Sequence, residues 1–124
     1  LTPHIGGSTL EAQANIGREV ASSLSAYLAT GSTTGCVTLP NVDAAPLRGG
    51  ARILNVHRNV PGVLSAVNQL LADSQVNITG QSLATVESIG LLHVDVPLRA
   101  DDPKAQRLGA AIAALSTSLR TRVI

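Results

Sequence analysis

From Ala51 to the end of the chain, the apolar residues switch back and forth between the two-residue period of strands and the longer period of helices. Strands are predicted for residues 52–57, 76–86, 89–96 and 119–123, and helices for residues 61–73 and 103–116. The resulting β-α-β-β-α-β order is typical of a split βαβ unit. We therefore expect an α+β, ferredoxin-like fold in which one antiparallel sheet carries two helices on one face.

Local features refine the first half of this pattern. Leu54 and Val56 are expected to share one face of the first strand. Pro61 sits where the first turn of a helix tolerates proline. In the third strand, His93 alternates with apolar neighbours, so we expect it to face outward or into a subunit contact, without a role of its own.

The residues before Ala51 divide into a helix and a linker. Ser8 and Glu11 have the spacing of a capping box, and apolar residues then recur at helical spacing, which predicts a helix over residues 9–30. Residues 31–50 are rich in glycine and proline and predict a linker with one short extended run at residues 37–39. The apolar stripe of the helix needs a surface that the rest of this chain does not obviously supply.

Composition excludes several classes of function. Phe and Trp are absent and Tyr27 is the only aromatic residue, which disfavours base-stacking recognition of nucleic acid. The formal charge is +1 with scattered basic residues, so neither nucleic acid nor a membrane is an expected partner. Cys36 is the single cysteine, which excludes an internal disulfide and predicts a reducing, cytoplasmic setting without a metal site. The Leu1 start, without Met, predicts that further sequence precedes it in the natural protein.

Two motifs carry a family resemblance. The segment 55–64 (NVHRNVPGVL), continued by 76–78 (VNI), resembles the ligand-binding turn of ACT domains. The segment 1–9 (LTPHIGGST), with Glu11 and Ala12, resembles the part of 2-hydroxyacid dehydrogenases that contains the catalytic histidine. In this order and spacing, they resemble the serine-regulated D-3-phosphoglycerate dehydrogenases of bacteria.

For the catalytic part, the resemblance implies that His4 is the general acid or base of an NAD-dependent enzyme. It also implies that two glycine pairs, Gly6-Gly7 and Gly49-Gly50, are hinges between domains, whereas without the family context each pair would be an ordinary loop. The chain holds no Gly-x-Gly-x-x-Gly turn for a dinucleotide. We expect residues 1–30 to be a remnant of the catalytic region that is inactive alone and binds no NAD.

For residues 51–124, the resemblance implies an ACT regulatory domain that binds L-serine between two subunits. Its ligand-binding residues would be His57, Asn59, Val60, Pro61 and Gly62 from one subunit, with Asn77 from its neighbour. Val60 stands where some relatives carry a charged residue, which bears on amino-acid preference. Self-association at least to a dimer is expected, and the intact enzyme could be a tetramer.

Each of these residues also has a simpler interpretation. Asn59 is a natural helix N-cap, Asn77 is a common residue between a loop and a strand, and a histidine at a strand end is usually solvated. The rival hypothesis for the whole domain is an ACT unit that associates subunits without binding serine. A free-standing enzyme is disfavoured because the cofactor turn and the partners of His4 are missing from the sequence.

Overall fold

A computed structural model of the chain describes residues 6, 7 and 9–124. Along these residues the elements are α1 (Leu10–Thr30), β1 (Ala51–Arg58), α2 (Val63–Asp73), β2 (Gly80–Val86), β3 (Ile89–Val96), α3 (Pro103–Ala113) and β4 (Ser118–Val123). The four strands form one antiparallel sheet in the order β2-β3-β1-β4. The predicted ferredoxin-like α+β fold is therefore confirmed.

Both α2 and α3 cover the same face of the sheet. Their buried aliphatic side chains pack with those of the central strands into one core: Ala51, Ile53, Val67, Leu71, Val76, Leu92, Val94, Val96, Leu108 and Ile112. Burying one such side chain stabilises the fold by roughly 1.5 to 3 kcal/mol. Because the chain has no Phe or Trp, this core is made entirely of Ala, Val, Leu and Ile.

Leu54 and Val56 share one face of β1 as predicted, but it is the face turned away from the helices. Leu54 is nevertheless buried, because the chain that follows α1 lies on it. A side chain at Gly31, where α1 ends, would overlap the side chain of Leu54. The guanidinium of Arg52 also donates to the carbonyl oxygens of Thr30 at 2.7 Å and Ala45 at 3.0 Å. Residues 31–50 thus pack on the outer face of the sheet instead of crossing solvent.

The long helix α1 is capped by Thr9, whose hydroxyl accepts from the backbone N–H of Ala12 at 3.1 Å. Ser8, the predicted capping residue, lies outside the described residues. The apolar stripe of α1 remains exposed, with Leu24 at 58% and Leu28 at 60%. The rest of the described chain therefore leaves this stripe uncovered.

One predicted extended run and three approximate boundaries differ from the structure. Residues 37–39 bend and pair with no strand in the described chain. The hydroxyl of Thr33 shapes this segment, because it donates to the carbonyl oxygen of Pro40 and accepts from the backbone N–H of Val42. The helix predicted from residue 61 begins at residue 63, after a turn. The strand predicted from residue 76 begins at Gly80, since the positive φ of Gln75 redirects the chain. The helix predicted to residue 116 ends at residue 113.

Candidate functional site

The turn after β1 is tied to the turn between β2 and β3. The backbone N–H of Asn59 donates to the carbonyl oxygen of Ser88 at 2.8 Å, and its side-chain amide donates to that of Glu87 at 3.0 Å. The interpretation of Asn59 as a helix N-cap is therefore wrong. Its amide nitrogen is occupied by Glu87, which leaves its side-chain oxygen as an acceptor.

The start of α2 is open. Gly62 occupies the N-cap position with a φ of 94°, a conformation that glycine adopts readily, and within the described chain no side chain caps the helix. The first N–H groups of any helix lack intrahelical partners and carry a partial positive charge. Val60, Pro61 and Gly62 are exposed, so a small anionic group can reach these N–H groups from solvent.

His57 lies on the helix-covered face of β1 and is only 2% exposed, so its interpretation as a solvated histidine is wrong. Its Nδ1 atom is 2.9 Å from the carbonyl oxygen of Arg58. Since a carbonyl oxygen only accepts, Nδ1 must carry a proton, and in the neutral ring Nε2 is then an acceptor. Nε2 is buried and has no hydrogen-bond partner among the described residues.

Asn77 lies at the other end of the sheet. Three residues after it, β2 begins at Gly80 opposite Asp95, and Asp95 pairs with Arg52 near the start of β1. The turn that contains Asn59 follows the end of β1, and a strand of that length is about 23 Å long. One chain thus brings His57 and residues 59–62 together but leaves the exposed Asn77 apart from them.

The two glycine pairs that were predicted to be hinges lie in different surroundings. Gly6 and Gly7 form an exposed turn before α1, and His4 lies outside the described residues. Gly49 and Gly50 precede β1 with φ values of 88° and 86°. A side chain on Gly49 would meet open space, whereas one on Gly50 would overlap the carbonyl oxygen of Val96.

A polar cluster on the outer sheet face was not predicted from the sequence. Arg52 and Asp95 form a bidentate ion pair with distances of 2.6 and 2.8 Å, although both stand on buried strands. Next to them His93 lies on the outer sheet face, as its alternation with apolar residues predicts, but it is only 3% exposed and therefore not solvated. Burial, reinforced by the charge of Arg52 and opposed by Asp95, lowers the pKa of His93 to about 4. The sequence does place two residues of opposite charge, Arg52 and Asp95, on two predicted strands that are neighbours in the expected sheet, and this pattern could have indicated the ion pair.

In the part of the chain that the structure describes, the remaining titratable and nucleophilic side chains do not come together in a further site. There, no three His, Cys, Asp or Glu side chains lie close enough to hold a metal ion. A hydrogen bond with the Thr38 hydroxyl lowers the pKa of the Cys36 thiol. Of the three described helices, none has the length and apolar character needed to cross a bilayer.

Comparisons with known proteins agree with this fold. A family model described as AHAS small subunit-like ACT domain matches residues 53–117, just over half of the chain. In solved structures, the ACT domain from the GTP pyrophosphokinase of Chlorobium tepidum superposes with a TM-score of 0.53 over 61% of this chain and 97% of that one. At 13% identity this similarity shows the fold alone.

Curated relatives are closer in sequence. D-3-phosphoglycerate dehydrogenase of Escherichia coli strain K12 is 44% identical over the whole chain and 30% of its own length. D-3-phosphoglycerate dehydrogenase 2 of Saccharomyces cerevisiae is 50% identical over 80 residues, which are 61% of this chain and 17% of that protein. The chain thus spans less than a third of the length of these relatives. By its sheet order, its two helices on one face and the match over residues 53–117, the chain belongs to the ACT domain family.

Proposed function

We propose that this chain is the regulatory part of a D-3-phosphoglycerate dehydrogenase, where paired ACT domains bind L-serine and cause feedback inhibition. The parent enzyme would oxidise 3-phosphoglycerate to 3-phosphohydroxypyruvate with NAD, the first step of L-serine biosynthesis. The observation that carries the proposal is the exposed turn at residues 59–62, which leads into the uncapped start of α2. The dehydrogenase of Escherichia coli, which matches the whole chain, supports the choice of parent enzyme.

The groups at this turn complement those of a free amino acid. The N–H groups at the start of α2 favour the carboxylate. The side-chain oxygen of Asn59 and the Nε2 atom of His57 are acceptors, which suit the ammonium group or the hydroxyl of serine. Asn77 supplies a further amide that both donates and accepts.

A second copy is needed to add Asn77, and the β2 edge offers a way to do so. β2 is an edge strand, whose outer backbone groups can pair with another strand. If two β2 strands pair antiparallel about a twofold axis, the start of one lies opposite the end of the other. Asn77 precedes the start of β2, and Asn59 is bonded to Glu87 just after its end. Such pairing carries Asn77 of the second copy toward the Asn59 turn and covers the half-exposed Leu83.

The predictions for the catalytic part extend this proposal to the longer protein, which we place in the cytoplasm. The residues of this chain do not fit NAD, because no two glycines stand two apart as the dinucleotide turn requires. NAD would thus bind elsewhere in the enzyme, and this chain alone would be inactive. In the whole enzyme His4 would exchange the proton of the substrate hydroxyl as general acid or base. Residues 1–30 would belong to the catalytic region, and the allosteric signal would cross residues 31–50.

Effector stiffening of a paired interface gives the regulation a physical basis. Serine contacting both copies would favour the paired arrangement and oppose movement at Gly6-Gly7 and Gly49-Gly50. Coupling between two sites is typically about 1 to 3 kcal/mol. This is enough to change the population of an active arrangement by about 5-fold to 150-fold.

Calorimetric titration with L-serine tests the proposal, with D-serine and glycine as ligand controls and sedimentation to follow the oligomeric state. We expect saturable, L-selective binding to a dimer, lost in Asn77→Ala but kept in Asn41→Ala, an exposed asparagine of the 31–50 segment. No heat of binding with an intact dimer would instead favour the role in subunit association alone. Binding that survives Asn77→Ala would contradict the shared site.

A further inference from the structure

Gly90 of β3 stands directly opposite His57 of β1 in the sheet. A Cβ atom on residue 90 would lie 2.6 Å from Nε2 and 2.9 Å from Nδ1 of His57. Nonbonded atoms prefer about 3.5 to 4.0 Å between them. The imidazole ring therefore occupies the space that any side chain at position 90 would need.

We propose that Gly90 is a positioning residue of the effector site. Because it lacks a side chain, the ring of His57 can lie across β3 and present Nε2 as a hydrogen-bond acceptor to the ammonium or hydroxyl group of the bound amino acid. This inference rests on the proposed function, which it deepens by assigning a polarity to the contact with His57.

The backbone at position 90 does not itself call for glycine. Gly90 is not among the glycines with positive φ, so an L-residue can adopt its conformation. A glycine inside a strand weakens that strand and often marks a close approach of another group. The ring of His57 is the group that makes the close approach here.

The direction of the ring agrees with the ligand site. With the strand order β2-β3-β1-β4, a side chain that leaves β1 and lies over β3 points toward β2 rather than β4. β2 is the edge proposed to meet the second copy. The hydrogen bond between Nδ1 and the carbonyl oxygen of Arg58 holds the opposite side of the ring.

The tautomer of His57 that the carbonyl oxygen of Arg58 fixes decides which ligand group can hydrogen-bond to the ring. With the proton on Nδ1, Nε2 of the neutral ring offers only a lone pair. Leaving that buried acceptor unpaired costs free energy, and a ligand N–H or O–H removes the cost. The ligand carboxylate cannot bond to this atom and is left to the N–H groups of α2.

The test compares Gly90→Ala, His57→Ala and the double variant in the 124-residue chain, with Gly17→Ala as a control that meets no atom within 4 Å. Nitrogen-15 NMR of the wild-type imidazole should show Nδ1 protonated, and L-serine should shift the Nε2 resonance. We expect Gly90→Ala to weaken L-serine binding about tenfold or more, as loss of a charged hydrogen bond does. The double variant should bind no more weakly than His57→Ala.

Unfolding of the wild type and these variants separates positioning from general damage to the sheet. The stability lost in Gly90→Ala should disappear when His57 is already alanine, because the clash is with the ring. If Gly90→Ala does not fold, recovery of folding in the double variant supports the proposal and continued failure overturns it. An equal loss with and without His57, or unchanged serine affinity in Gly90→Ala, also overturns it.

The same measurements distinguish failure of the proposed function. If the wild type binds no L-amino acid, the proposed roles of His57 and Gly90 in effector binding are wrong. The unfolding comparison and the imidazole spectrum then still decide whether Gly90 positions the ring.

Discussion

The imidazole of His93 lies on the outer sheet face between β1 and β2, in a small cavity of about 160 Å³ that is also lined by Asp43, Arg52 and Asp95. Its pKa is about 4 in the folded chain, compared with 6.5 in its unperturbed state. Between these two pH values the unfolded chain binds a proton that the folded chain does not. The contribution of neutral His93 to the free energy of unfolding is therefore fully present above pH 6.5. It is lost as the pH decreases toward 4.

We expect His93→Gln to remove this part of the pH dependence. Relative to the variant, the wild type should lose up to about 3 kcal/mol of unfolding free energy between pH 6.5 and 4. Denaturant titrations at several pH values measure the difference, which also cancels the titration of carboxylates common to both proteins. Parallel pH profiles for the two proteins would show that His93 is freely protonated in the folded chain.

Gly49 and Gly50 make a second test at single residues, because they share a positive φ but differ in their surroundings. Gly49→Ala should cost about 1 to 2 kcal/mol of stability, which is the strain of an L-residue in this conformation. Gly50→Ala adds overlap with the carbonyl oxygen of Val96 and should cost about 3 kcal/mol or more. Thermal unfolding measures both, and equal losses would contradict the difference in packing.

The helix α1 shows how one element is held by residues of others. It has no basic residue in its last turn, yet the guanidinium of Arg122 on β4 donates to the carbonyl oxygen of Leu28 at 2.6 Å and lies over the Tyr27 ring. Arg52 on β1 donates to the carbonyl oxygen of Thr30. These cations complement the partial negative charge at the end of a helix.

We expect Arg122→Ala to loosen the end of α1 while leaving the sheet intact. Hydrogen exchange should report a loss of about 1 kcal/mol in the local opening free energy of the last helical turn. Arg120→Ala, two residues earlier on the same face of β4, is the matched control and should change α1 little. Equal protection of α1 in both variants would show that Arg122 does not hold the helix.

Sequence periodicity predicted these elements well where local signals were strong and less well where tertiary contacts decide. The alternation in β3 predicted both of its bounds, and the stripe of α2 predicted its end at Asp73 but placed its start two residues too early. The start of β2 was placed too early, because Val76 is buried in the core without being in a strand. The packing of residues 31–50 on the sheet involves hydrogen bonds from Arg52 to the carbonyl oxygens of Thr30 and Ala45, which no local sequence pattern reveals.

For the whole molecule, the sequence predicts a set of residues for a candidate site but not how they are arranged in space. The turn at residues 59–62 follows directly from the order of β1 and α2, so His57 and Asn59 share one end of the sheet. The strand order then places Asn77 at the other end. A site that includes both Asn59 and Asn77 would therefore need two chains, and its geometry would depend on the edge through which they pair.

Two exposed leucines on opposite edges of the sheet provide a test of which edge pairs with a second copy. Leu83 on β2 is 43% exposed and Leu119 on β4 is 48% exposed, so they are matched in residue type and exposure. A lysine on an edge strand opposes pairing because its charge would have to be buried. We expect Leu83→Lys to give a monomer that no longer binds L-serine, and Leu119→Lys to remain a dimer that binds it.

Sedimentation measures the oligomeric state of both variants, and calorimetry measures their serine affinity at the same protein concentration. Circular dichroism checks that each variant keeps its fold. Dissociation caused by Leu119→Lys instead would place the interface at β4 and leave Asn77 of the second copy beside β2, at the far edge of its own sheet and away from the Asn59 turn. Serine binding by a monomeric Leu83→Lys variant would show that one chain suffices and that Asn77 of a second copy takes no part.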